Sequence, residues 1–218
     1  IPMDRLGARD SMVDALRAAG AIGTEKSFIS AYGVHVNVEL PDLEGATLSR
    51  YLRAYALLQW WLVDSHHIDI ARRISPYIDL FTRDYLKHVL MHPNAGIDQI
   101  LDDYLHFNPS RNRGLDLLPL LATIDEEKVR SIVDDPRIKA RPAFHYRLPD
   151  CRIEQSDWSL TVPWNSWLVV EKLAENDVWL QELTEEFLST ERQRVLLDIS
   201  RTSWVEYIDL WLKDHGLA

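Results

Sequence analysis

The sequence predicts a mainly helical α+β domain with a small antiparallel sheet. Two stretches, 32–40 and 141–148, alternate apolar and polar residues with the two-residue period of a half-buried strand. Most of the remaining chain spaces its apolar residues three and four apart, as a helix with one buried face does. Glycine (8) and proline (10) are few and scattered among 218 residues. No linker is therefore expected, and 1–218 reads as one domain, sheet-bearing over about 30–160 and helical over about 161–218.

The elements follow in order. Residues 9–19 carry Met12, Val13, Leu16 and Ala19 at helical spacing, with Gly20 as the stop. In 32–40, Val34, Val36 and Val38 face one side and Gly33, His35, Asn37 and Glu39 the other, and Pro41 closes the strand. A long helix is predicted from Thr47 to Val63, striped by Leu48, Tyr51, Leu52, Tyr55, Leu58 and Leu62. Its apolar block Tyr55–Val63 holds Gln59 and meets Asp64, so it reads as a buried helix, well short of a membrane span. Shorter helices are predicted over 82–91 and 95–106, and 108–120 begins as a polar loop and turns helical. Asp125 is the expected N-cap of a helix ending near Val133, with Glu126 and Glu127 favourable to its dipole.

In 141–148, Phe144, Tyr146 and Leu148 oppose Ala143, His145 and Arg147. Helices are then expected over 162–175, 177–189 and 191–213, the last opened by a capping box of Thr190 and Gln193. Six of the eight tryptophans (Trp158, Trp164, Trp167, Trp179, Trp204, Trp211) fall in this last third and predict an aromatic packing layer. Two strands alone make a marginal sheet, so a further strand is expected in a segment read as loop, or in chain outside this sequence.

Composition narrows the partners. Hydrophobic residues are 46% and charged residues 27%, enough apolar material for a real core. With 24 Lys+Arg against 34 Asp+Glu the net charge is −10, which argues against nucleic acid or an anionic membrane surface as partner. A lone cysteine, Cys151, makes no internal disulfide and suits a reducing cytoplasm. The first residues, IPMDRLGARD, lack the layout of a signal peptide and an initiator Met, so the chain is expected to be a piece of a longer one.

The chemistry-bearing residues cluster on the two alternating stretches. If these strands share a sheet, His35, Asn37, Glu39, Arg141, His145 and Arg147 line one surface, suited to a metal and an anionic substrate. The competing reading is the ordinary solvated face of an antiparallel sheet. Arg111, Asn112 and Arg113 beside Gly114 can grip phosphate or carboxylate, or else form a solvated loop paired with the excess acid. His88 and His92 read as a chance i, i+4 pair, His66 and His67 sit at a helix end, and Cys151 reads as structural. Walker A, GxGxxG, GxSxG and CxxC motifs are absent from the sequence.

The segments YGVHVNVELP (32–41), DYLHFNPSRNRGLDLLPLL (103–121), RPAFHYRLPDCRIEQSDWSL (141–160) and WNSWLVVEKLA (164–174) resemble the amidoligase family, relatives of glutamine synthetase and other carboxylate–amine ligases. The resemblance spans most of 30–175. It implies a glutamine synthetase-like fold and an ATP-dependent ligase that joins a carboxylate to an amine through an acyl-phosphate, with ATP and Mg²⁺ as cofactors. Its substrates would be an amino acid, peptide or protein carboxylate and an amine. His35 matches the first residue of the family's His-x-His strand, with Asn37 at the second histidine. Arg147 matches the last residue of its Arg-x-Glu-x-Arg strand, with His145 at the glutamate position.

The resemblance thus implies His35 and Glu39 as metal ligands, and Arg111, Asn112, Arg113 and Arg141 at the phosphates. It implies Asn37 and Arg147 at the substrate, and His145 as metal ligand or general base. The family's early strand of metal-binding glutamates has no counterpart before residue 30, and the chain is expected to lack it. Two other readings stand beside this one: a non-catalytic interaction module that keeps the fold, and a metal hydrolase built on His35, Glu39 and His145.

Overall fold

Every residue from Tyr51 to Val63 is buried, so the helix that carries them has no solvent face and must be enclosed. A computed structural model describes residues 9–23, 34–66, 79–197 and 201–217. It runs α1 (Asp10–Ala18), β1 (Val36–Glu39), α2 (Gly45–Ser65), α3 (Arg83–Met91), α4 (Ile97–Phe107), β2 (Leu115–Asp116), α5 (Leu118–Ile124), α6 (Glu126–Ile132), β3 (Ala143–Tyr146), α7 (Thr161–Ala174), α8 (Asp177–Leu197) and α9 (Arg201–Asp214). The mainly helical α+β class is as the sequence predicts.

Helix α2 is the axis: α3, α4, α7, α8 and α9 all pack on it. The predicted single stripe is therefore too narrow, because apolar residues fill the whole circumference. Of the two buried polar residues in the run, Arg53 and Gln59, the second finds partners for both ends of its amide. The Gln59 amide donates to the Phe81 carbonyl and accepts from the Phe81 N–H, both at 3.1 Å. Trp204 on α9 donates its indole N–H to the Leu57 carbonyl at 2.9 Å.

The sheet has the order β1-β3-β2, with both neighbours antiparallel to β3. Strand β2 is the further strand, and it lies inside the segment read as loop turning helical. At two residues it is too short for any period to show. Tyr104 on α4 pins it, donating its hydroxyl to the Leu115 carbonyl (3.2 Å) and accepting from the Leu117 N–H (3.1 Å). One face of the sheet packs into the helices: Phe144 lies 5.5 Å from Tyr51, and the rings of Phe144 and Tyr146 lie 5.4 and 5.3 Å from Trp167.

Helix α1 ends as expected at Gly20, whose φ of +83° suits glycine. Gly20 N–H bonds the Arg17 carbonyl and Ala21 N–H the Leu16 carbonyl, both at 3.0 Å, closing a Schellman motif. Of its predicted apolar face only Val13 is buried, in a small cluster with Cys151, Ile153 and Trp158, while Met12 and Leu16 are exposed. Arg17 anchors the helix by donating to the carbonyls of Ile153, Gln155 and Trp158.

The Asp125 cap forms as predicted, accepting from the Lys128 N–H at 2.9 Å. The predicted break at 190 does not: α8 runs on to Leu197, and the Thr190 hydroxyl bonds Glu186 within the helix (3.4 Å) instead of opening a new one. The Gln193 side chain, with Tyr32, Gly33 and His67, lies outside the described residues. Trp167, Trp204 and Trp211 enter the main core, and Trp164 and Trp179 pack against its edge. Among the described residues no helix is long and apolar enough to cross a membrane.

Replacing Gln59 by Leu keeps the volume but leaves the Phe81 N–H and carbonyl buried without partners. A loss of about 3 kcal/mol is expected. In thermal denaturation this is a fall of roughly 6–12 °C. A Gln59→Leu protein with an unchanged midpoint contradicts this account of α2.

Candidate functional site

Alternate residues of a strand point to opposite faces. On β3, the face away from Phe144 and Tyr146 carries Ala143 and His145. His145 stands in register with Asn37 of β1 on one side and with Asp116 of β2 on the other. The two alternating segments therefore do share a sheet, and β2 adds a carboxylate to the row.

Asp116 is 1% exposed, so its carboxylate needs donors in place of water. It has two: the Leu118 N–H on Oδ1 (3.0 Å) and His145 Nδ1 on Oδ2 (3.3 Å). An ionised carboxylate only accepts, so His145 carries its proton on Nδ1. Its Nε2 lies 3.1 Å from His35 Nδ1 and accepts from it when the imidazole is neutral. With His145 neutral, both contacts are satisfied when His35 Nδ1–H donates to His145 and His145 Nδ1–H donates to Asp116. His35, at the outer end of this chain, is an exposed residue.

The guanidiniums divide into two groups. Arg141, partly exposed, donates Nε–H to Asn37 Oδ1 at 3.1 Å, so both sit on the open part of this face. Arg147 is buried and braces the neighbouring loop, donating its backbone N–H to the Gly114 carbonyl (2.8 Å) and Nη1 to the Arg111 carbonyl. Gly114 is required there: a Cβ would come within 2.7 Å of both Leu148 and the Tyr55 hydroxyl. Arg113 donates to the carbonyls of Leu80 (2.9 Å) and Phe107 (3.4 Å). Arg111 Nε lies 4.0 Å from Asp135, whose carboxyl is held well below the usual range by hydrogen bonds from Arg137. The Asn112 N–H donates to Ser110 Oγ (3.1 Å), and the Asn112 carbonyl accepts from the Asp79 N–H (2.6 Å).

The structure thus brings together Asn37, Arg141, His35 and His145, with Arg147 tied to the loop of Arg111. Glu39 is exposed at the far end of β1, opposite Ala143. Asp116 is the residue whose role the sequence left unread. Its strand is too short to mark it, and only the LDLLPL pattern beside it hints at an ordered start to α5.

A cleft of 240 Å³ opens beside His35 and Asn37, walled by Arg9, Leu160, Pro163 and Trp164. The Trp164 indole N–H is buried there with no hydrogen-bond partner among the described residues. The cleft therefore offers the Arg9 cation and the exposed His35 imidazole to a small polar ligand. A resident Mg²⁺ fits this donor set poorly, since it prefers oxygen ligands and both Asp116 oxygens are engaged. Among the described residues no three His, Cys, Asp or Glu are grouped to hold an ion.

The family model "putative amidoligase enzyme" matches residues 1–169, reaching further toward the N-terminus than the segments that carry the resemblance. No curated protein and no solved structure matches the chain.

Asp116→Asn tests the relay. The amide keeps an acceptor for Leu118 and turns a donor toward His145 Nδ1, so the proton is expected on Nε2 instead. Imidazole ¹⁵N shifts read this directly. Identical His145 patterns in the two proteins contradict the tautomer assignment.

Proposed function

Because the chain belongs to the amidoligase family, a membership that supports a ligase-type function, we propose that it is an ATP-dependent carboxylate–amine ligase working at the polar face of its sheet. The observation that carries this reading is the Asp116–His145–His35 chain ending beside a cleft lined by Asn37 and Arg9. The substrate carboxylate, of an amino acid, peptide or protein, attacks the γ-phosphorus of ATP. The bond to the bridging oxygen breaks, giving an acyl-phosphate and ADP. The amine nitrogen then attacks the acyl carbon, loses a proton, and phosphate leaves with the electrons of the C–O bond. Magnesium enters as the counter-ion of the nucleotide.

The chain's own groups divide the work. An amine is an ammonium at neutral pH and attacks only after losing a proton, which is general-base work. The paired imidazoles take that proton, and buried Asp116 stabilises the charge that His145 then carries. Arg141, oriented by Asn37, meets the anionic oxygens of the acyl-phosphate, where charge accumulates. Arg147 fixes the Arg111–Gly114 loop against the strand and keeps that geometry rigid.

Saturating MgATP is expected to raise the melting temperature by several degrees. Arg141→Gln is expected to cut amine-dependent phosphate release by about 10²–10³-fold, the cost of one lost transition-state donor. Its melting temperature should stay near that of the parent, because Arg141 is partly exposed. No thermal shift at millimolar MgATP contradicts the proposal and favours the non-catalytic interaction module.

A further inference from the structure

A second cleft, of 660 Å³, shares no lining residue with the sheet site. Its floor is where two helices start. Gly45 opens α2 and Gly96 caps α4, and the two backbones touch: a Cβ on Gly45 would lie 2.7 Å from the Ile97 nitrogen. Neither helix start has a side-chain cap; the first turn of α2 holds no acidic residue and that of α4 holds Asp98. The amides of both starts therefore present partial positive charge near one space.

Two arginines line the same cleft. Arg53 is 7% exposed, and among the described residues it hydrogen-bonds from Nη2 to the Thr184 hydroxyl at 3.1 Å. Its Nε–H is buried without a partner, and no carboxylate stands within ion-pair distance among the described residues. Arg50 also has a buried Nε–H without a partner, and bonds the Thr47 hydroxyl through Nη2 (3.3 Å).

A buried guanidinium satisfied by one neutral hydroxyl is costly, and native interiors rarely leave one so. Burial lowers the Arg53 pKa, partly offset by the more distant Asp177. Glu44 and Asp177 line the cleft with the two arginines, and Asp42 and Asp98 stand at the starts of α2 and α4, so the cleft's positive groups are the two guanidiniums and the helix-start amides.

We propose that this cleft binds a small oxyanion, a carboxylate or a phosphate, between the guanidiniums of Arg50 and Arg53 and the N-termini of α2 and α4. Guanidiniums grip such groups through paired N–H bonds, and free helix amides complete the shell. Asp177 and Gln181 on the wall favour an oxyanion that also carries a hydrogen-bond donor.

The test is thermal denaturation of the whole protein with potassium phosphate, succinate or glycine, each against potassium chloride at equal ionic strength. A saturable rise with at least one probe is expected, and the probe that works identifies the source. The rise should vanish in Arg53→Met and shrink in Arg50→Gln. Arg53→Met should itself fold with an equal or higher midpoint in probe-free chloride, because it removes an uncompensated buried charge. Phosphate is also a product of the proposed reaction, so Arg141→Gln serves as the control and should keep the rise. Absence of a saturable rise with all three probes overturns the proposal. A rise that survives Arg53→Met, or one abolished by Arg141→Gln, does the same. A lower midpoint for Arg53→Met in chloride also overturns it, since Arg53 would then be holding the helices together.

Discussion

The structure depends on the pleat of one four-residue strand. β3 lies between two antiparallel neighbours, and all four of its residues are buried. Its side chains must serve two different environments in alternation. Phe144 and Tyr146 complete an aromatic layer with Tyr51, Tyr55 and Trp167, while His145 meets Asp116 and His35 on the other side. A slip of one residue would exchange the two sets. An imidazole would then enter the aromatic layer without partners, and a phenyl ring would cover a buried carboxylate. Both errors are expensive, so the register is fixed from both faces.

Further contacts keep β3 in place, and each reaches the site. Tyr104 holds β2 by both of its backbone neighbours and so sets the position of Asp116. The Arg147 backbone and side chain draw in the Arg111–Gly114 loop, where only glycine fits at the closest approach. Helix α2 ties the two clefts to one body: Tyr51 and Tyr55 support the sheet, and Arg53, on the same helix, lines the second cleft. Arginine-bearing clefts on a chain of net charge −10 suit small anions. Screening confines the repulsion of the remaining surface to about 8 Å, whereas an extended polyanion meets that surface throughout.

Much of this was legible in the sequence because it rests on local periods. The alternation in 32–40 and 141–148 marked the two strands, whose pairing is seen only in the structure, and the Asp125 and Gly20 termini follow from capping chemistry. What was not legible depends on contacts distant in the chain. A two-residue strand has no period, so β2 and the role of Asp116 emerge only from pairing with β3. The capping-box pattern at Thr190 is locally sound, yet α8 continues through it. Arg113 reads as a phosphate ligand in a polar loop, but its partners are the Leu80 and Phe107 carbonyls. Arg53 is a single charge inside an apolar helical run, and only its burial beside two helix starts marks it out.

The most direct test of the central claim compares two nucleophiles in His145→Gln. If the imidazole pair serves to deprotonate the amine, hydroxylamine, already unprotonated at neutral pH, needs it far less than ammonium does. Product formation with ammonium should fall about 10²–10⁴-fold, the usual worth of a general base, while ATP-dependent hydroxamate formation is largely retained. Equal loss with both nucleophiles, or no loss with either, contradicts the claim that this face of the sheet performs the proton transfer of a ligase.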